Sequence, residues 1–194
     1  MRAPPFVLGI GGTTRAGSSS ELVLRAAMKA IEAHGAETEM LAGPDMMLPL
    51  YAPENPDRDP KAQRLIDLVR RADAVVIASP GYHGSISGMI KNALDYIEDT
   101  ARDDRPYLDG RAVGCIACAY GWQATGSTLV ALRTIVHALR GWPTPLGVAA
   151  NSTTRLFAED GGCVDAGLAG NLDVLAAQIM QFVRNARPQE IAAP

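Results

Sequence analysis

Residues 6–20 read FVLGIGGTTRAGSSS, and this stretch decides the fold class. Its first five residues are apolar on both faces, which is typical of a strand in a parallel sheet that helices cover on both sides. Residues 74–78 and 112–117 form similar apolar blocks, and residues 37–41 and 145–150 are weaker strand candidates. The chain is therefore expected to contain five strands, and the first of them leads directly into a loop rich in glycine and hydroxyl groups.

Helical periodicity fills the intervals between these blocks. The first predicted helix starts at Ser20 and ends at Gly35, with one apolar face and one charged face. The other predicted helices are residues 61–72, 86–97, 127–139 and 168–183. This alternation predicts an α/β fold with a five-stranded parallel sheet and right-handed crossovers. Ligands of such sheets bind beyond the carboxyl ends of the strands, so the loops after strands one, three and four are the expected places for chemistry.

Length and composition indicate one globular domain. The chain has 194 residues, of which 47% are hydrophobic and 20% charged, and we expect one domain over residues 1–187 followed by a flexible tail at 188–194. The net charge of −3 lacks the basic surplus typical of proteins that bind nucleic acid. No apolar run approaches the roughly 20 residues of a membrane span, so no membrane association is expected.

The cysteines and the N-terminus indicate the compartment. Cys115, Cys118 and Cys163 cannot all pair within the chain, and the first residues lack the apolar core of a signal peptide. A reducing, cytoplasmic location is therefore expected. Cys115 and Cys118 have C-x-x-C spacing, but residues three apart in a strand point to opposite faces, which favours two buried structural thiols over a redox pair. No metal site is expected.

The loop after the first strand has the composition of a phosphate site. Its candidate binding residues are Thr13, Arg15, Ser18, Ser19 and Ser20, which precede or open a helix. A helix N-terminus offers unpaired N–H groups and a partial positive charge to an anion. One of the serines is expected to cap the helix, and a cap alone is the competing interpretation.

The sequence excludes three well-known kinds of phosphate-binding site. Ser18 stands where a Walker A loop needs lysine, and Thr14 stands where a dinucleotide fingerprint needs a third small residue. No arginine lies six residues after a cysteine, so a cysteine-phosphatase loop is also excluded. A monophosphate held by hydroxyls, amides and one arginine remains.

The loop after the third strand carries a specific resemblance. Residues 79–95 read SPGYHGSISGMIKNALD, which is similar to the S-P-E-Y-N-x-S-x-P-G-x-L-K-N-A-[LI]-D pattern of the NADPH-dependent FMN reductase family of flavodoxin-like proteins. The first loop is similar to the family's G-S-x-R-x-x-S-x-N. This chain departs from the family at Thr13, Ser20, Gly81 and His83, which replace serine, asparagine, glutamate and asparagine.

The resemblance implies a flavodoxin-like three-layer α/β/α sandwich with strand order 2-1-3-4-5, and FMN bound across the tips of strands one, three and four. Glycine backbone would let amides of the second loop approach the flavin ring closely. No residue is assigned a certain catalytic role, and His83, expected near the pyrimidine edge, is the candidate for a proton transfer. The cofactor-binding residues expected from the second and third loops are Pro80, Gly81, Tyr82, His83, Gly84, Ser85, Ala119, Tyr120, Gly121 and Trp122.

The activity implied is NAD(P)H-dependent reduction of FMN, in which hydride passes from the nicotinamide to the flavin N5. NADPH or NADH would be the donor, and a homodimer or homotetramer is expected. The reduced flavin would be supplied to a flavin-dependent monooxygenase. Two alternatives stay open: an FMN-containing NAD(P)H reductase of quinones or azo compounds, and a flavodoxin-like electron-transfer protein.

One long irregular segment is left without a function at this point. Residues 43–60 contain five prolines and the adjacent pair Met46 and Met47. Connections of this length are uncommon unless they are functional or mobile.

Overall fold

Strands and helices alternate along the chain as predicted. The protein is described by a computed structural model over residues 3–186, so the tail predicted at 188–194 lies outside the described residues. The strands are β1 (Phe6–Gly11), β2 (Glu37–Ala42), β3 (Ala74–Tyr82), β4 (Ser85–Ile86), β5 (Ala112–Ala119), β6 (Trp142–Pro143) and β7 (Val148–Asn151). The helices are α1 (Ser19–Ala33), α2 (Pro60–Arg71), α3 (Gly88–Asp95), α4 (Trp122–Ala138) and α5 (Ala166–Ala186), with 3₁₀ turns at Gly43–Met46 and Tyr96–Thr100.

The sheet has the predicted parallel order. β2, β1, β3 and β5 are neighbours in that sequence, and β6 and β7 both pair with β5 on its free side. The fifth strand predicted at residues 145–150 is observed as β7, and β6 precedes it outside the predicted range. Pro145, which has no N–H to donate to β5, lies between the two short strands. The order 2-1-3-4-5 is confirmed, with two short strands in the fifth place.

Helices cover both faces of the sheet and so form three layers. Leu8 and Ile10 of β1 pack into the core that contains the apolar residues of α2, α3 and α4. Val7, which precedes Leu8 and points to the other face of the strand, packs into the core formed with α1 and α5. Cys115 and Cys118 likewise belong to opposite cores, which confirms that their side chains leave β5 on different faces.

Two predicted boundaries are corrected by the structure. The fourth helix, predicted over residues 127–139, begins at Trp122, because the hydroxyl of Thr125 donates to the Trp122 carbonyl (2.8 Å) and the Thr125 N–H donates to Gly121. Gly126 is accommodated within the helix. The third helix, predicted over 86–97, is α3 followed by a 3₁₀ turn.

The long connection between β2 and α2, residues 43–59, is held by polar side chains of α3 and of the 3₁₀ turn that follows it. Arg58 donates to both carboxylate oxygens of Asp99 (2.5 and 2.8 Å) and lies over the rings of Tyr51 and Tyr96. The Tyr51 hydroxyl also donates to Asp99 (3.2 Å), and Asn92 accepts from the Tyr51 N–H (2.9 Å). These contacts fix the connection against the core.

Helix length and hydropathy give no candidate for a membrane span anywhere in residues 3–186.

Candidate active site

A cavity of about 500 Å³ opens at the carboxyl ends of β1, β3 and β5. These strands are adjacent and parallel, so the loops that follow them meet at one edge of the sheet, where open α/β sheets bind their ligands. The residues that line the cavity are Thr13, Thr14, Arg15, Ser18, Ser19, Ser20, Pro80, Gly81, Tyr82, Cys118, Ala119, Tyr120 and Ser152. The structure therefore brings together the predicted residues of the first loop and parts of the other two.

The loop between β1 and α1 (residues 12–18) ends in a helix cap. The Ser18 hydroxyl accepts from the Glu21 N–H (3.4 Å), which makes Ser18 the N-cap of α1. The Glu21 carboxylate reaches back to accept from the Gly17 N–H (3.1 Å) and from Arg25 (2.8 Å). This is close to a capping box, S-x-x-E, a signal visible in the sequence that the prediction did not use.

Some donors at this end of the cavity have no partner within the described residues, whereas the Thr13 hydroxyl donates to the Arg15 carbonyl (3.2 Å). Ser18 caps the helix, but Ser19 lines the cavity and its N–H belongs to the first turn, which has no preceding turn to accept it. Arg15 is exposed, and within residues 3–186 its guanidinium has no hydrogen bond or ion pair. The Glu21 carboxylate, which accepts from the Gly17 N–H of this loop, forms an ion pair with Arg25. Hydroxyls, helix N–H groups and one unpaired guanidinium are a donor set that fits a phosphate monoester.

The second loop is a β-hairpin, which was not predicted. Tyr82 pairs with Ser85 across the turn, and the two residues between them, His83 and Gly84, have φ values of +50° and +87°. Positive φ at both central positions is typical of a type I′ turn, and histidine is one of the few side chains enriched in that conformation. The asparagine that the family pattern places at position 83 belongs to the same group of residues. His83 is thus explained by backbone conformation.

Only part of the hairpin reaches the cavity. Pro80, Gly81 and Tyr82 line it, and the Tyr82 side chain is 53% exposed at its mouth. The structure does not place His83, Gly84 or Ser85 on the cavity wall.

Gly81 has a packing requirement that the sequence did not reveal, and the close approach of its amide to a flavin ring stays a prediction. A Cβ at this position would lie 2.5 Å from the Thr128 Oγ1 of α4 and 2.9 Å from the Ala119 Cβ. Gly81 is required because α4 packs directly against β3, whereas Gly84 has open space beside it and is required by its positive φ.

The third loop is tied to the end of β7 by an asparagine that the prediction missed. The Asn151 Oδ1 accepts from the Gly121 N–H (3.1 Å) and from the backbone and hydroxyl of Thr153 (3.1 and 2.9 Å). The next residue, Ser152, donates its N–H to the Ala119 carbonyl (2.9 Å) and so reaches the cavity. A polar Asn-Ser pair directly after the last predicted strand was a usable signal, because all parallel strands end at the same edge.

Tyr120 and Trp122, the two aromatic residues predicted in the third loop, line different cavities. Tyr120 is 81% exposed and lines the cavity beside Ala119. Gly121 is not on the cavity wall, and Trp122, the first residue of α4, lines a separate cavity of about 270 Å³ with Asn151 and Asp165 among its other walls.

One thiol also lines the site. Cys118 is on the cavity wall and only 5% exposed, and burial raises the pKa of this thiol to about 11. Burial in the opposite core raises the pKa of Cys115 to about 12. Among residues 3–186 no group of three or more His, Cys, Asp or Glu side chains has the geometry of a metal site.

Comparison with known proteins gives a consistent set of matches. The model of the family described as NADPH-dependent FMN reductase matches residues 5–155. An FMN-dependent NADPH-azoreductase of Staphylococcus aureus is 28% identical over 181 residues, which cover 90% of this chain and 93% of that protein.

Solved structures share the fold. The flavoenzyme NAD(P)H:(acceptor) oxidoreductase FerB of Paracoccus denitrificans has a TM-score of 0.75 at 23% identity, covering 92% of this chain and 98% of its own. The apo form of the NADH:FMN oxidoreductase EMOB has a TM-score of 0.71 at 16% identity, covering 96% of this chain and 92% of its own.

Proposed function

The chain belongs to the NADPH-dependent FMN reductase family, and on this premise we propose how its cavity works as an FMN-dependent NAD(P)H oxidoreductase site. FMN and NADPH or NADH are the cofactors that the family implies. The observation that carries the proposal is the polarity of the cavity. Apart from Ser152, its serine and threonine hydroxyls and its guanidinium lie at the β1–α1 loop and the first turn of α1, and its apolar and aromatic groups lie at the other two loops.

In the proposed arrangement, the first loop holds the phosphate of FMN. Thr13, Ser19 and the helix N–H groups donate to its oxygens, and Arg15 supplies the compensating charge. The ring system lies against Pro80, Tyr82 and the Ala119–Tyr120 backbone. When bound, FMN supplies the capacity to accept a hydride from the nicotinamide and release it to a second acceptor.

The protein's contribution is positioning. No side chain on the cavity wall forms a nucleophile–base pair, so these residues act by holding the two nucleotides in van der Waals contact and by excluding water from the apolar end. The two glycines of the first loop, Gly12 and Gly17, have φ values of +91° and +69° and allow the tight turn around the phosphate.

The acceptor that we favour is an aromatic azo compound or a quinone. The curated azoreductase relative matches 90% of this chain. For an azo acceptor the balance is NADPH + H⁺ + Ar–N=N–Ar′ → NADP⁺ + Ar–NH–NH–Ar′, in which the nicotinamide is oxidised and the azo bond gains two electrons and two protons.

A second candidate is a reductase for which FMN itself is the product that leaves, to be used by a flavin-dependent monooxygenase. The open cavity mouth favours it, since Tyr120 and Tyr82 are both more than half exposed. A flavodoxin-like electron-transfer protein, the third possibility, would bind FMN without oxidising a nicotinamide nucleotide.

One experiment separates these functions. Purified protein is loaded with FMN, desalted, and its visible spectrum is recorded. Anaerobic oxidation of NADPH and of NADH is then followed with excess FMN, with a neutral azo dye, with a quinone, and with no acceptor. Retained yellow colour with turnover on the dye or the quinone supports the favoured function, and saturation by free FMN with no retained flavin supports the second. FMN binding without nicotinamide oxidation would leave an electron-transfer protein, and absence of both would refute the proposal.

A further inference from the structure

The connection between β2 and α2 forms an apolar groove beside the proposed flavin cavity. This groove, of about 480 Å³, is lined by Thr14, Met46, Met47, Leu48, Pro49, Leu50, Asp59, Gly88, Met89 and Asn92. Met47 is 59% exposed and Leu50 is 86% exposed. Large apolar side chains grouped at this exposure commonly mark a binding surface.

The groove lies next to the flavin cavity. A smaller space of about 160 Å³ lies between them and shares Thr13, Pro80 and Tyr82 with the cavity. It shares Gly88 and Met89 with the groove, and Thr14 is on the wall of all three spaces. A molecule bound in the groove therefore lies close to the space that is proposed to hold the ring.

The groove is preformed. Asn92 donates to the Pro49 carbonyl (2.8 Å) and accepts from the Tyr51 N–H (2.9 Å), and the Tyr96 hydroxyl donates to the same Pro49 carbonyl (3.0 Å). The Arg58–Asp99 pair holds the far end of the connection. Leu50 is thus exposed on a segment whose backbone is fixed on both sides, so binding there costs little ordering of the chain.

The chemistry of the walls selects a flat, apolar, uncharged ligand. The three methionines of the groove, Met46, Met47 and Met89, are flexible and polarizable and pack well against aromatic rings of differing shape. Asp59 is the only charged residue on the wall, and no lysine or arginine lies there. An anionic ring would meet a carboxylate without a compensating cation, which disfavours sulfonated ligands.

We propose that this groove binds the distal aromatic ring of the electron acceptor, and that it selects neutral aryl azo compounds over sulfonated ones. The inference rests on the proposed function, because it places the acceptor next to the bound flavin. Met47, Leu50 and Asp59 are then the residues that determine which acceptor is used.

Binding is tested with 4-hydroxystilbene, a neutral fluorescent probe in which C=C replaces the reducible N=N. The double variant M47S/L50S is compared with wild type, and V174S, an exposed valine of α5 on the other face of the sheet, is the matched control. We expect the dissociation constant of the FMN-loaded protein for the probe to rise about fivefold or more in M47S/L50S and to stay at the wild-type value in V174S. Equal affinity of all three proteins would overturn the inference.

Selectivity is tested by turnover. The ratio of kcat/KM for a neutral azo dye to kcat/KM for ferricyanide should fall by the same factor in M47S/L50S. Asp59→Asn keeps a residue able to cap α2, and should lower the KM for a sulfonated azo dye while leaving the KM for the neutral dye close to wild type. Unchanged ratios in both variants would refute the groove as the acceptor site.

The outcomes also separate the inference from its premise. If wild type neither binds FMN nor oxidises NADPH with any acceptor, the proposed function fails. If wild type is active but the variants behave like V174S, only the groove assignment fails. If M47S/L50S instead changes the sedimentation coefficient, the groove is a contact between copies of the chain and the inference is wrong.

Discussion

The β1–α1 loop and the β2–α2 connection begin at the same edge of the sheet, on paired strands, yet they use their polar groups in opposite ways. In the short loop, the Arg15 guanidinium has no partner within the described residues, and Ser19 faces the cavity. In the long connection, Arg58 has two carboxylate oxygens, two carbonyls and two aromatic rings around it. Length is therefore a poor guide to mobility, and unused hydrogen-bonding capacity indicates a site for a charged ligand.

The largest expected effect is the loss of stability when the contacts of Arg58 in the long connection are removed. Arg58→Ala removes two hydrogen bonds to a carboxylate that is mostly buried, with side-chain exposures of 11% for Arg58 and 20% for Asp99. We expect the free energy of unfolding at pH 7 to fall by about 2–3 kcal/mol, measured by urea denaturation. The matched control is Lys91→Ala, which removes an exposed pair with Asp95 and should cost no more than about 0.5 kcal/mol. Equal losses would show that the connection is not held by this pair.

The next effect belongs to the short loop and concerns binding. Arg15→Ala should lower the affinity for FMN by about 2 kcal/mol, or roughly thirtyfold, because a charge-assisted contact to the phosphate is lost. Affinity for riboflavin, which has no phosphate, should stay unchanged, and so should the free energy of unfolding. Flavin fluorescence titration measures both ligands, and Arg64→Ala, an exposed arginine of α2, controls for net charge. Equal weakening of FMN and riboflavin would place Arg15 away from the phosphate.

A smaller effect distinguishes the serine that caps α1 from the serine that is proposed to bind the phosphate. Ser18→Ala removes the N-cap of α1 and should reduce the free energy of unfolding by about 1 kcal/mol. Ser19→Ala should leave the free energy of unfolding within about 0.5 kcal/mol. It should nevertheless weaken FMN binding by about 1 kcal/mol. Should Ser19→Ala bind FMN as wild type does, the serines would serve only the helix.

The smallest effect is the pH dependence of the Arg58–Asp99 pair. The hydrogen bond from Arg58 holds the pKa of Asp99 below its ordinary value, against the opposing effect of burial. A lowered folded-state pKa contributes stability above the unfolded-state value near 4, and this contribution is lost as the pH falls through the folded-state pKa. The difference in unfolding free energy between wild type and Asp99→Asn should therefore narrow between about pH 5 and pH 3. A constant difference over that range would show that Asp99 is not titrating there.

The local sequence was enough to predict most of the sheet, because a strand buried on both faces must be apolar throughout. It was also enough to predict that the polar residues of the first loop line a cavity at the carboxyl edge of the sheet. The phosphate that they are expected to bind stays a prediction. The hairpin at His83–Gly84 was missed because its second strand, β4, has only two residues and is too short to show an alternation of apolar and polar side chains. The pairs Arg58–Asp99 and Gly121–Asn151 join residues far apart in the chain, and such contacts leave no local periodicity.

The position of Cys118 has a consequence for how the cavity handles oxidants. With pKa values of about 11 and 12, the Cys118 and Cys115 thiols stay protonated at neutral pH, and only a thiolate attacks a peroxide or an alkylating agent. The two sulfur atoms also lie on opposite faces of β5 and cannot join in a disulfide. Iodoacetamide or hydrogen peroxide should thus leave this wall of the site intact, so that sulfur offers no competing destination for electrons beside the flavin.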